Sequence, residues 1–278
     1  MIRQTKGEKI FNIINIIILC ALVVIMVYPC LHVLFASLSD SSELMKSGGF
    51  LLYPKGFTLD AYLEVFKNQL IWSGYGNTIL NLVLALAFNI SLTTLGAYAL
   101  SRKELMVRRP IMLMIIFTMF FSGGLIPNYI LVRNLGMVDT RWALFIPTAI
   151  SAYNLIIMRT SFESIPDTLI EAAKLDGASH IQLFRHVAMP LVKSSVLSLT
   201  LIAFLNSWND FVWPMLTLSA NKNLKTITLG LYAYRDVQQI LYGPMFAGFF
   251  MASIPLLVLF CFNMRYFISG ITSGAVKG

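Results

Sequence analysis

The chain has 278 residues, 57% of them apolar and only 12% charged, with a formal net charge of +8 at pH 7. Soluble domains carry about 25% charged residues, so this balance marks a polytopic membrane protein. No solvated basic domain is present to grip a phosphate backbone, which excludes a nucleic-acid partner and turns the excess of Lys and Arg into a statement about membrane orientation.

Six segments are long enough for a hydrocarbon core of roughly 30 Å. The first covers about residues 10–35, behind a basic tail with Arg3, Lys6 and Lys9. It is too long for a cleaved signal peptide, and no small-residue cleavage site follows it promptly. Residues 37–75 form a long loop, in which Pro54 and Gly56 mark a turn and Thr58 is placed to cap a short helix. The second span covers about 77–100 and the third about 110–132. The fourth, about 142–158, is short and carries Pro147. The fifth covers about 190–216, and a second long loop at 217–243 leads to the sixth, about 244–267. Lipid offers the backbone no hydrogen-bond partners, so each span is expected to be a helix. A membrane β-barrel needs alternating polarity in runs of about ten residues, and the runs here are unbroken. The expected fold is therefore an all-α polytopic membrane protein with six transmembrane helices, one membrane domain over residues 1–278 with no soluble domain attached. Cys20, Cys30 and Cys261 lie in or beside apolar runs and read as buried, inert thiols. No metal site is expected.

Charge then orients the spans. One face collects Arg3, Lys6, Lys9, Arg102, Lys103, Arg108, Arg109, Arg159, Lys174, Arg185, Lys193, Arg265 and Lys277. The other holds Lys46, Lys55, Lys67, Arg133, Arg141, Lys222, Lys225 and Arg235. The first set is larger and sits in short, dense segments, which places both termini in the cytoplasm. Residues 160–189 then form a cytoplasmic loop. Within it, 167–175 read as a helix capped by Asp167, Gly177 as a stop or bend, and Ser179 as the cap of a second helix ending at Pro190. By pattern alone such a segment reads first as an amphipathic element lying on the lipid surface, then as a dock for a cytoplasmic partner, and last as internal packing.

The stretch EAAKLDGASHIQLFRHVAMPL at 171–191 resembles the EAA loop of the inner-membrane subunits of ATP-binding-cassette importers. Glu171, Ala172, Ala173, Gly177 and Pro190 match its pattern, and Asp176, Phe184 and Leu191 match its sugar-importer branch. NSWNDFVWPMLTLS at 206–219 and YFISGITSGAVKG at 266–278 agree, and together the three stretches resemble the MalG-like carbohydrate permeases over essentially the whole chain. The resemblance implies the type I importer permease fold. It also implies a coupling helix pair seated in a cleft of an ATPase subunit, with Glu171, Ala172, Ala173, Leu175, Asp176, Gly177 and Phe184 as contact residues. The partners it implies are a second, different permease chain, two ATP-binding-cassette subunits, an extracytoplasmic solute-binding protein and a sugar, in the bacterial cytoplasmic membrane. The chain carries no GxxxxGK[ST] phosphate loop, so it is expected to hold no cofactor, to catalyse nothing itself, and to leave ATP and Mg to its partner. Residues 121–147 resemble a branch associated with polysaccharide-derived oligosaccharides.

Polar residues inside spans are functional candidates. Those of the second span are Asn77, Asn81, Asn89, Thr93 and Thr94. A cluster at Asn206, Ser207, Trp208, Asn209 and Asp210 in the fifth, with Asn154 in the fourth, is the candidate sugar path. From this cluster the path residues taken forward are Asn154, Asn206, Trp208, Asn209 and Asp210. Amides and a carboxylate beside aromatic faces suit a sugar, and Asp210 has to face a cavity or a partner subunit. The rivals are an importer for a non-sugar solute, an ion-driven transporter, which usually carries repeats and mid-membrane carboxylates, and a membrane scaffold that transports nothing.

Overall fold

In the computed structural model, residues 5–232, 234 and 241–275 are described, Lys222 and residues 265–275 by their backbone only. Arg3, Arg235 and Lys277, counted above for charge, and the last three residues of the C-terminal stretch lie outside them. All regular structure among the described residues is helical, apart from one isolated bridge between Ser39 and Phe57.

The chain begins with α1 (Lys6–Ser37), α2 (Ser41–Lys46), α3 (Asp60–Lys67) and α4 (Gln69–Ser101). Then come α5 (Arg108–Phe120), α6 (Leu125–Asn134), α7 (Trp142–Phe145), α8 (Ala152–Glu163) and α9 (Asp167–Leu175). A single turn, α10 (His180–Gln182), runs through a π-helical segment (Leu183–Ala188) into α11 (Met189–Leu191) and α12 (Lys193–Asn209). After α13 (Val212–Thr217), a 3₁₀ turn (Lys222–Leu224) and α14 (Ile227–Tyr232), the chain closes with α15 (Tyr242–Ala275).

Among the described residues, three helices are long and apolar enough to cross a membrane by themselves: α1, α4 and Tyr242–Met264 of α15. Two bent pairs raise this to five if each is one span: α5 with α6 at 114°, and His180–Leu191 with α12 at 79°. The expected third span is therefore not one straight rod. It breaks at Gly124, which takes φ +83°, a conformation side-chain-bearing residues resist. The expected fourth span is broken as well. Four helical residues, α7, are followed by an irregular stretch through Pro147 before Ser151 caps α8 through its hydroxyl. The fifth ends at Asp210, where the backbone turns extended before α13 starts.

Two local expectations move by a residue. Asp167 occupies the first helical position of α9 behind Pro166 and takes no capping bond. Thr58 bonds the Asp60 backbone N–H at 3.1 Å, but the cap position of α3 is Leu59. Ser179 caps α10 as expected, and Gln182 closes a capping box by accepting the Ser179 N–H at 2.7 Å. The cysteines are a correction: Cys20, Cys30 and Cys261 are free and exposed, on helix faces that carry exposed apolar neighbours. A membrane helix turns its apolar side outward to lipid, so an apolar flank does not imply burial.

The chain divides into two compact units, residues 1–71 with 230–255, and 72–229 with 256–278. The first builds a small core from Ala36, Leu44 and Leu51 against Phe35 and Phe246. Its loop 47–51 is fastened by His32, whose Nε2 lies 2.9 Å from the Gly49 carbonyl oxygen, and Asn68 donates to the Tyr234 hydroxyl at 3.0 Å. The second holds the main core, in which Tyr98, Met158, Phe162, Ile170, Leu183 and Leu199 come together from α4, α8, α9, the π-helical segment and α12.

Candidate functional site

Two places in the second unit carry the residues singled out above. The first is the segment 167–191. Its underside is glued to the main core. Ile170 is buried, and Phe184 packs on Tyr98 and Phe162, with ring centroids at 5.1 and 6.2 Å. Arg102 stacks over the Tyr98 ring at 4.8 Å and donates to the Phe162 carbonyl at 3.3 Å, while Arg159 donates to the Leu100 carbonyl at 3.2 Å. These cations bond carbonyls at the C-terminal ends of α8 and α4, where the helix dipole also favours positive charge. Two ion pairs hold the rim. Lys103 Nζ donates to Asp167 Oδ2 at 2.7 Å, and Lys174 Nζ to Glu104 Oε1 at 2.6 Å. The bond from Lys103 holds the Asp167 carboxyl below its usual range, and the bond from Lys174 does the same for Glu104.

The opposite side of the segment is free. Glu171, Ala172, Leu175, Asp176 and Gly177 are exposed, Leu175 at 90%, and Ile181 further along is exposed at 77%. Ala173 is half-buried. Gly177 sits at φ +81° directly after α9, with nothing within 4 Å of the position a Cβ would take. It turns the chain because of its backbone conformation and not because space is short. Of the seven coupling candidates, Ala173 and Phe184 pack against the chain's own core, and both are half-buried. An apolar residue at helical spacing reads the same from sequence whether it faces a partner or the interior.

The second place is a cavity of about 480 Å³ walled by α4, the irregular stretch after α7, the start of α8, and α12. Asn154, Asn206 and Asp210 line it, as do Ser207, Asn81 and Asn89. Trp208 and Asn209 do not. Trp208 is 4% exposed and stacks on Phe204, with centroids at 5.7 Å and planes at 8°, in a cluster with Leu82. Asn209 spends its amide on the Leu205 carbonyl at 2.9 Å, one turn back on its own helix. Residues 206–209 are consecutive on a 3.6-residue helix and Asp210 follows its end, so they point in different directions and only part of the cluster shares the cavity. Asp210 also begins α13, accepting the Trp213 backbone N–H at 3.4 Å, and Trp213 donates its indole N–H to the Ala143 carbonyl at 2.8 Å.

Residues 105–271 match the family model described as binding-protein-dependent transport system inner membrane component. The chain belongs to that family. The match takes in both the 171–191 segment and the cavity wall formed by α8 and α12. This inner membrane component is 32% identical to the polygalacturonan/rhamnogalacturonan transport system permease protein YtcP of Bacillus subtilis, over 98% of this chain and 99% of that one. It is 30% identical to the arabinooligosaccharides transport system permease protein AraQ of Halalkalibacterium halodurans, over 91% and 92%. Among solved structures it is similar to a chain of a bacterial ABC transporter involved in the import of the acidic polysaccharide alginate, with a TM-score of 0.86, 29% identity, and 96% and 100% coverage. These relatives are transport permease proteins.

Sequence reasoning left Asn81 and Asn89 of this membrane component among general polar residues of the second span. Nothing in their spacing separates a cavity-lining asparagine from one bonded between helices. Thr148, which also lines the cavity, sits in the irregular stretch that interrupts the expected fourth span.

Proposed function

We propose that this chain is the permease subunit of an ATP-driven, binding-protein-dependent importer of oligosaccharides, and that it forms half of the translocation pore. The observation that carries the reading is the cavity, in which amides, hydroxyls and one carboxylate converge within a helical membrane protein. Its relatives supply the class: the names of YtcP, AraQ and the alginate transporter all specify poly- or oligosaccharides. Six crossings in a single permease domain, with both termini cytoplasmic, fit the charge asymmetry of the loops and the type I importer fold. On this reading Asn154, Asn206 and Asp210 touch sugar, while Trp208 holds the wall behind them.

The exposed face of 171–177, with Leu175 as its apolar anchor, docks on an ATPase subunit. Phe184 transmits from below by packing on Tyr98 and Phe162. ATP and Mg are used by that partner, and this chain performs no catalytic step. The remaining partners are a second, different permease chain and an extracytoplasmic binding protein, received by residues 37–75 and 217–243. The test is co-purification with the neighbouring permease, ATPase and binding protein, followed by ATP hydrolysis in proteoliposomes against an oligosaccharide panel. Hydrolysis that rises with sugar-loaded binding protein, and falls in Glu171→Ala and Leu175→Ser variants, supports the reading. An assembly that never forms with any ATPase overturns it.

A further inference from the structure

Two side chains on one wall of the cavity are buried yet keep a polar atom unspent. Asn81 and Asn89 are each 7% exposed, and both line the cavity. Arg141 Nη1 donates to Asn81 Oδ1 at 3.1 Å, while Asn81 Nδ2 has no partner. Asn89 Nδ2 donates to the Thr148 carbonyl at 3.1 Å and the Ala149 carbonyl at 3.4 Å, while Asn89 Oδ1 has no partner. Neither amide is free to flip. A guanidinium only donates, so Asn81 must offer it oxygen; carbonyls only accept, so Asn89 must offer them nitrogen. The guanidinium is itself fixed by a second bond, from Nη2 to Asn77 Oδ1 at 2.7 Å, and Asn77 is anchored in turn to the carbonyls of Asn223 and Lys225.

Two residues that line the cavity therefore hold one spare donor and one spare acceptor at set positions, both shielded from solvent. They lie eight residues apart on α4, about 12 Å along its axis. Buried amide atoms without partners are rare and call for an explanation. A chain of hydroxyl groups supplies one, since each hydroxyl both donates and accepts. An apolar ligand satisfies neither atom, and a ligand bearing acceptors alone satisfies only Asn81.

We infer that Asn81 and Asn89 are the pair that reads the substrate in this cavity, one giving and one taking a hydrogen bond from a hydroxyl-rich stretch of sugar. Arg141 is a positioning residue that sets the Asn81 amide. The inference rests on the oligosaccharide-import reading and adds the groups that carry its specificity.

The test uses the complete transporter in proteoliposomes, with permease, companion permease, ATPase and binding protein. Wild type is compared with Asn81→Asp, Asn81→Leu, Asn89→Leu, Arg141→Gln, Arg141→Lys and the double variant Arg141→Gln/Asn81→Leu. Asn81→Asp keeps the size and the acceptor facing Arg141 but trades the spare donor for a charged acceptor, so Asn81→Leu and Asn89→Leu carry the test. Uptake from limiting sugar is expected to fall about tenfold in Asn81→Leu and Asn89→Leu, the effect of one lost hydrogen bond at the strong end of its range. Arg141→Lys is expected to retain more uptake than Arg141→Gln, and the double variant to be no worse than Asn81→Leu. Wild-type uptake in Asn81→Leu and Asn89→Leu overturns the pair while leaving import intact. Failure of both Asn81 variants to assemble with the companion permease also overturns it, by making the amides subunit contacts. An assembled wild type that takes up no oligosaccharide sinks the import reading and the pair with it.

Discussion

Lys174, in the last turn of α9, reaches Glu104 in the loop after α4, with Nζ 2.6 Å from Oε1. With Lys103 and Asp167 this makes two ties between residues that are 64 and 70 positions apart in sequence. Both pairs are exposed, so they fix orientation more than they stabilise the fold. Their carboxyls titrate below their usual values of 3.8 and 4.5. A depressed carboxyl contributes above its unfolded pKa and loses that contribution as pH falls through its folded one. A spin label at position 175 should therefore show constant mobility from about pH 8 to about pH 5 and loosen only below about pH 4. Glu104→Gln should loosen it at neutral pH with little change in thermal midpoint, and high salt should mimic the variant.

Phe184 and Leu175 separate packing from docking. Phe184→Ala empties space beside Tyr98 and Phe162 and should cost about 2–3 kcal/mol, less than a fully buried phenylalanine because Phe184 is half-buried. Leu175→Ser changes a side chain that is 90% exposed. It should leave the thermal midpoint of the isolated chain unchanged and weaken ATPase binding by at least about tenfold, the loss expected of an apolar anchor. Thermal unfolding in detergent beside an ATPase pull-down reads both.

The two variants also mark how far the sequence could be read. The 171–191 segment, its glycine turn and the Ser179 cap were legible, because caps and positive-φ turns are written in local residue types. The direction of Phe184 was not, since its burial depends on Tyr98, 86 positions earlier. Composition revealed a helical membrane protein. It did not reveal the breaks at Gly124 and at the irregular stretch through Pro147, because apolar runs look the same whether the helix continues or turns. The cavity was half legible. Asn206 and Asp210 stood out by charge and clustering, whereas Asn81 and Asn89 are distinguished only by bonds they leave unmade.

Gly177 should tolerate substitution according to backbone conformation alone. A Cβ there meets no atom within 4 Å, but φ is +81°. Gly177→Ala should cost about 1 kcal/mol from left-handed strain. Gly177→Asn should cost less, since asparagine enters that region more readily. A reversed order in thermal midpoints would show that something other than φ constrains the turn.

Asp210 and Trp208 stand two residues apart and should fail in different ways. Trp208 is 4% exposed and stacked on Phe204 away from the cavity, so Trp208→Ala should cost about 3–5 kcal/mol and lower the yield of folded protein. Asp210 lines the cavity, and its carboxylate also accepts the Trp213 N–H that begins α13. Asp210→Asn keeps an acceptor for that bond and nearly the same volume, and removes only the charge. The chain should therefore fold with an unchanged thermal midpoint while sugar uptake in the reconstituted transporter drops by about tenfold or more, because a charged partner makes the stronger hydrogen bond. Asp210→Ala removes the bond to the Trp213 N–H as well and should lower both. If Asp210→Asn transports like wild type while Asp210→Ala unfolds early, the carboxylate serves the start of α13 and not the sugar, and the path narrows to Asn154, Asn206 and the wall of α4.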